Sequence, residues 1–325
     1  MDGAAMAEAR PAPGCGVNEN KGHKMKLRHL IFAVILMVTA TQARAQFADT
    51  WMGVRDGTNI ANPGETKGGR DVNKIIVNVG HFDVWDYGSN FFSVDGLFSN
   101  ANEPANNSAG GSTEFYAVYR GQLSPDKIFG LNTAFGPFSA INFEFGGDWE
   151  SENTTFAPDK KAIVAGPNFH LALPAGFLNV GVHVYKEWNN NGICNGNTAA
   201  GGCIFNGGSG GPTSFTPTAE FEIVWLVPLG FTGMPLDFRG FTNIVLPKGK
   251  DGFGNQTATE VLARPQINLD IGKMIMGKPN KLYVYVQCEL WLNKFGNDGS
   301  LKVAGVKQNV SVDEISPVFG IEYHF

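Results

Sequence analysis

Charge is scarce in this sequence. Lys, Arg, Asp and Glu make up 17% of its 325 residues, where a soluble domain carries about 25%. Long apolar runs are missing as well. Beyond Gln46 nothing approaches the roughly 18 consecutive apolar residues of a membrane-crossing helix, so helical spans are excluded. Only a closed barrel then remains as a way across a bilayer, because strands must satisfy every backbone polar group among themselves. There is no basic excess: 25 basic residues face 30 acidic ones, which argues against nucleic acid as a partner. His81, His170, His183 and His324 show no metal-ligand spacing, so neither a metal nor a cofactor is expected. Enzyme signals are poor. Gly207-Gly-Ser209-Gly-Gly211 matches G-x-S-x-G by letters, but Pro212 follows and the strand–turn–helix context is missing. A lipase on an outer wall would need a Ser/His pair, and none can be read.

Aromatics, at 12%, and glycine, at 42 residues, are plentiful. That mixture fits a β protein with many turns and aromatic girdles.

The first 45 residues read as a leader. Met25-Lys-Leu-Arg-His29 is a basic segment, and Leu30–Val38 is an apolar run too short to span a bilayer. Ala43-Arg44-Ala45 is an A-x-A cleavage site, so a signal peptide over 25–45 and a mature start at Gln46 are expected. Residues 1–24 read as an over-extended start. Removing six of the 25 basic and three of the 30 acidic residues leaves 19 against 27, a mature net charge of −8.

Of four cysteines, Cys15 precedes the cleavage site. Cys194 and Cys203 flank a small Gly/Asn-rich loop, and in an oxidising compartment a disulfide between them is expected. A zinc site is the weaker alternative, since no His or second Cys pair lies nearby. Cys288 alternates with apolar residues and reads as a buried or lipid-facing small side chain.

The stretch Tyr87–Leu123 sets the pattern. In Glu114–Leu123, Phe115, Ala117, Tyr119 and Leu123 share one parity, and Glu114, Tyr116, Arg120 and Gln122 share the other. Successive strand side chains point to opposite faces, so this strand is apolar on one side and charged on the other. A soluble sandwich does that, and so does a membrane barrel with a wet lumen.

Twelve strands follow from the same reading: 51–59, 74–84, 90–98, 114–123, 138–149, 163–173, 178–188, 215–227, 236–246, 259–271, 281–292 and 317–325. The connections alternate in length. Long ones are 60–73, 99–113, 150–160, 189–214, 247–258 and 293–314; short ones include 85–89, 124–130, 174–176 and 228–235. An up-and-down barrel with short periplasmic turns and longer outer loops has this form, whereas a Greek-key sandwich has no reason to. An even strand number places both termini in the periplasm. Phe319, Ile321, Tyr323 and Phe325 alternate up to the last residue, the ending characteristic of bacterial outer-membrane barrels. The fold class is therefore all-β, an up-and-down antiparallel transmembrane β-barrel over 46–325 in the bacterial outer membrane.

Several segments, in order, resemble the nucleoside-specific channel-forming proteins, the Tsx-like family that includes the OmpK-type proteins. They are Tyr87-Gly-Ser-Asn-Phe-Phe-Ser-Val-Asp95, Val118-Tyr-Arg120, Ala165-Gly-Pro167, Tyr185-Lys-Glu-Trp-Asn-Asn-Asn191, Gly240-Phe-Thr-Asn243 and the terminal aromatic strand. The cysteine-bearing loop departs from that pattern. The resemblance implies a monomeric twelve-stranded barrel whose narrow lumen binds nucleosides and passes them inward.

A barrel of this size leaves a narrow passage. The lining expected from parity is Glu114, Tyr116, Arg120, His183, Tyr185, Glu187, Arg239, Phe241, Arg264, Tyr283, Tyr285 and Glu289. Aromatics stack on a flat base, at about 1–3 kcal/mol each. Carboxylates and arginines hydrogen-bond ribose and base edges. The same charges can instead brace the wall, with Arg120, Arg239 and Arg264 facing Glu114, Glu187 and Glu289. Trp149, Trp188 and Trp225 are expected as lipid-facing girdle residues. The expected function is passive, selective diffusion of nucleosides. The alternative is a structural or receptor barrel whose outer loops, also open to bacteriophage, are the working surface.

Overall fold

Alternation decides the architecture. Along the last strand, Glu314 and Ser316 are 0% exposed, whereas Ile315 and Phe319 are 59% and 55% exposed. Polar groups face inward and apolar groups outward, the reverse of a soluble sheet.

The structure is a computed structural model that describes residues 46–63, 72–103, 110–153, 158–190, 212–252, 254–303, 306–307, 309 and 311–325. The signal peptide, the cleavage after Ala45, Cys194 with Cys203, and the Gly207–Gly211 letters all lie outside the described residues.

Twelve antiparallel strands close into a barrel. They are β1 (Phe47–Ile60), β2 (Val72–Trp85), β3 (Gly88–Ser99), β4 (Thr113–Leu123), β5 (Phe138–Glu152) and β6 (Lys161–Leu171). Then come β7 (Phe177–Asn190), β8 (Thr218–Pro228), β9 (Leu236–Val245), β10 in two pieces (Glu260–Ala263 and Gln266–Asp270), β11 (Leu282–Leu292) and β12 (Glu314–His324). Each pairs with its sequence neighbour, and β12 returns to β1 in the register Trp51↔His324 to Gly57↔Val318. All twelve segments read from the sequence are present.

Two local features follow from residue type. β10 is split at Pro265, which has no N–H to give to the ladder; its carbonyl still accepts from Cys288 N at 3.0 Å, so β11 stays attached. β1 shifts register between Gly57 and Ile60. There Asn59 takes a φ of 57°, a region Asn tolerates better than most residues. Its carbonyl accepts from Ser316 Oγ at 2.7 Å.

One connection holds an element the sequence reading lacks. Between β4 and β5, which starts at Phe138 as expected, the segment expected as a short turn at 124–130 contains a short helix, Pro125–Phe129. Pro125 suits a first helical position and ends any strand before it. The end of the barrel that carries the 86–87 turn therefore also carries helical caps, here and at Ile271–Met276.

Large apolar side chains stand exposed around the outside, among them Val54, Ile75, Phe98, Phe145, Ile163, Val184, Ile267, Val286 and Ile321. Soluble proteins rarely expose a continuous apolar surface of that extent. Trp149 and Trp188 share this face near the loop end. Trp225 packs on Phe238, with ring centroids 5.5 Å apart. Cys288 is a free thiol, half-buried on the outward parity of β11.

Candidate functional site

Because every strand alternates, one parity from each of twelve strands converges inside. The charged residues that result form three groups. On the β4–β8 wall, Arg120 Nη1 donates to Asp148 at 2.8 Å. Its guanidinium also lies 3.3 Å from Glu222, 3.8 Å from Glu220 and 3.9 Å from Glu144. Across the lumen, Arg264 pairs with Glu289 at 2.8 Å, and Arg239 with Asp237 at 2.7 Å and Glu322 at 3.0 Å. Arg55 pairs with Asp95. Toward the loop end, Lys74 pairs with Glu114 at 2.8 Å, Lys294 with Glu314 at 2.7 Å, and Lys248 with Glu187.

The bracing ladder expected from the sequence is therefore right for Arg264 and Glu289 only. Arg120 does not pair with Glu114, whose partner is Lys74; Arg239 does not pair with Glu187, whose partner is Lys248. Parity sets which face a side chain takes, but its height along the tilted barrel sets its partner.

Between these groups lies a cavity of about 1250 Å³. Its lining reaches from Phe47, Gly88 and Lys127 at the short-turn end to Asp251, Asn297 and Asn309 at the loop end. A second cavity of about 180 Å³ lies among Arg55, Arg239, Phe241, Arg264, Tyr285 and Glu322.

Of the twelve lining residues expected, Glu114, Tyr116, Arg120, Arg239, Phe241, Arg264 and Glu289 line the large cavity, and Tyr285 lines the small one. His183, Tyr185, Glu187 and Tyr283 also point inward, but they are packed into the wall and line neither. Tyr185 donates its hydroxyl to Glu187 at 2.7 Å, beneath Lys248. Tyr283 donates to Asn280 at 2.9 Å, and the Arg239 guanidinium covers its ring at 4.8 Å. All four are buried in the wall and border neither cavity.

Other lining residues escaped the sequence reading. Trp51 and Phe91 line the cavity with ring centroids 6.2 Å apart, and Trp291 and Phe295 do so at 5.1 Å. Trp51 opens a weakly patterned strand, and Phe295 lies in a loop with no period at all. Glu144 and Glu222 also line it; their inward parity was legible, their convergence was not. Within the wall, Glu144, His183 and Glu222 bring one ligand atom each to within 4.8 Å of one another.

Chemically the cavity offers flat aromatic faces beside fixed charges. Arg264 stands 5.7 Å from the Phe241 ring centroid, and Lys294 stands 4.5 Å from that of Trp291. Both kinds of contact occur in the lining of one cavity.

No known protein family matches this sequence, and no curated protein does. Among solved structures, the translocator domain of the autotransporter NalP from Neisseria meningitidis is 12% identical, with 93% of this chain and 98% of that chain covered and a TM-score of 0.40. The KdgM porin is 7% identical over 86% of this chain and 99% of its own, with a TM-score of 0.36. A high-pH structure of Pseudomonas putida OprB is 9% identical over 89% and 96%, with a TM-score of 0.31. The barrel itself follows from the strand pairing, closed by β12 on β1.

Proposed function

We propose that the chain is a bacterial outer-membrane channel for passive, selective diffusion of nucleosides and small polar solutes of similar shape. The observation that carries this reading is one cavity whose lining reaches both ends of the barrel. The apolar exterior suits lipid, and the terminal aromatic strand suits outer-membrane assembly. The short-turn end, where Phe47 and His324 lie on adjacent strands, faces the periplasm in this reading. Aromatics along the way bind a base weakly enough to release it, as conduction needs. Phosphorylated solutes are disfavoured, because most lumen cations are already paired to carboxylates.

The test is liposome swelling with the folded mature chain, comparing adenosine or thymidine with sugars of similar size. Faster nucleoside flux, lowered by Phe241→Ala or Tyr116→Ala, supports the proposal. Equal rates for all solutes demote it to a general pore. No flux through a folded barrel overturns it and leaves a barrel whose outer loops are the working surface.

A further inference from the structure

We propose that Glu144, His183 and Glu222 form a binding site for one divalent transition-metal cation on the lumen wall, with zinc the ion that fits. The proposal does not depend on the transport reading.

The donors come from three strands, β5, β7 and β8, and their ligand atoms lie within 4.8 Å of one another. A tetrahedral zinc with bonds of about 2.0–2.2 Å holds its donors about 3.3–3.6 Å apart. His183 Nε2 is already 3.5 Å from Glu144 Oε1. Small side-chain rotations close the rest.

His183 itself points to a ligand. Its side chain is fully buried, and neither ring nitrogen has a hydrogen-bond partner among the described residues. Buried polar groups are nearly always satisfied, so an orphaned imidazole asks for an explanation. Gly181 permits its position: a Cβ there would lie 2.5 Å from His183 Cε1 and 2.6 Å from Nε2. Without that Cβ the imidazole lies back along its own strand toward Glu222, whose main chain pairs with Gly181.

Glu144 is oriented in the way metal carboxylates are. Asn168 and Gln122 donate to Oε2 at 2.6 Å and 2.7 Å. Oε1, the oxygen nearest His183, accepts no hydrogen bond from the described residues. Charge argues the same way. Arg120 is one guanidinium among four carboxylates, Glu144, Asp148, Glu220 and Glu222, all at least nine-tenths buried. Lys160, buried beside the Tyr116 ring, adds a second cation on the Glu220 side, which still leaves two cations against four carboxylates. Unbalanced buried negative charge is costly, and a dication answers it. The imidazole nitrogen favours a transition metal over magnesium or calcium. Glu144 and Glu222 line the large cavity, so the ion arrives from the lumen, where water completes its coordination.

The test uses the folded mature chain in detergent, stripped with chelator, loaded with zinc chloride, desalted and assayed for metal. About one zinc per chain is expected. His183→Gln and Glu222→Gln, each checked for folding by circular dichroism and heat-modifiable gel mobility, should retain at least about tenfold less. Cobalt(II) in the wild-type chain gives a readout that needs no variant: intense visible absorption of four-coordinate cobalt supports the site. The proposal is overturned if the folded wild-type chain retains less than about 0.1 zinc, which would leave a proton shared between Glu144 and Glu222 as the balancing charge. It is equally overturned if folded variants retain as much zinc as wild type, or if cobalt shows only its pale six-coordinate spectrum.

Discussion

Tyr285 lies flat across Gly320 on the neighbouring strand. The two residues are directly paired between β11 and β12, and a Cβ on residue 320 would lie 2.2 Å from Tyr285 Cζ and 2.4 Å from its hydroxyl oxygen. The missing side chain gives the ring a place against the wall, where it borders the small cavity with Arg239 and Phe241. Gly320→Val should force the ring off the wall and into the lumen. We expect single-channel conductance and solute flux to fall, and stability to drop by about 1–3 kcal/mol from overpacking. Adding Tyr285→Ala should restore conductance. Unchanged conductance in the single variant would show that the ring does not bound the path.

Lys294 enters from a loop and is buried against Glu314. Its Nζ donates to Glu314 Oε2 at 2.7 Å and to the Ala61 carbonyl at 2.8 Å. Removing one partner strands the other's charge, so Lys294→Ala should cost about 3–5 kcal/mol in denaturant unfolding of the barrel in micelles. Lys294→Met combined with Glu314→Gln should recover most of that loss, because neither charge is then left alone. If the single and double variants unfold together, the pair contributes nothing and the interior there is wetter than its burial suggests.

Parity made the fold legible. In Leu282–Leu292 or Glu314–His324 each residue type announces its face, and twelve such runs leave little choice of architecture. Height along the barrel was not legible. Glu144 and His183 sit 39 positions apart in the chain, and only the register of β5, β6 and β7 brings them together. Loop residues were invisible for a different reason. Lys248 and Lys294 carry no periodicity, yet both are almost fully buried inside the barrel mouth. Lys248 seals Glu187 as an ion-pair partner, with Tyr185 bonded beneath it, and Lys294 does the same for Glu314.

Beyond the cleavage site expected after Ala45 the sequence holds three cysteines, 194, 203 and 288, and Cys288 is a free thiol. If Cys194 and Cys203 pair, alkylation of the denatured mature chain without reductant should add one label, at Cys288. With reductant it should add three, read by intact mass. Three labels without reductant would remove the disulfide, and with it the restraint expected on that loop.

Val184 stands near the middle of β7 on the outward face and is 64% exposed. On a soluble sheet a polar substitution at so open a site changes stability by less than about 0.5 kcal/mol. At the midplane of a bilayer the same position meets hydrocarbon, and an arginine there costs about 2–4 kcal/mol. Val184→Arg should therefore destabilise the barrel by that larger amount when unfolding is followed in lipid vesicles. Trp188→Arg, nearer the loop end and also outward, should cost less because its charge reaches the interface. A Val184→Arg barrel as stable as wild type in vesicles would mean that this band does not face lipid, and the membrane-spanning reading would fall with it.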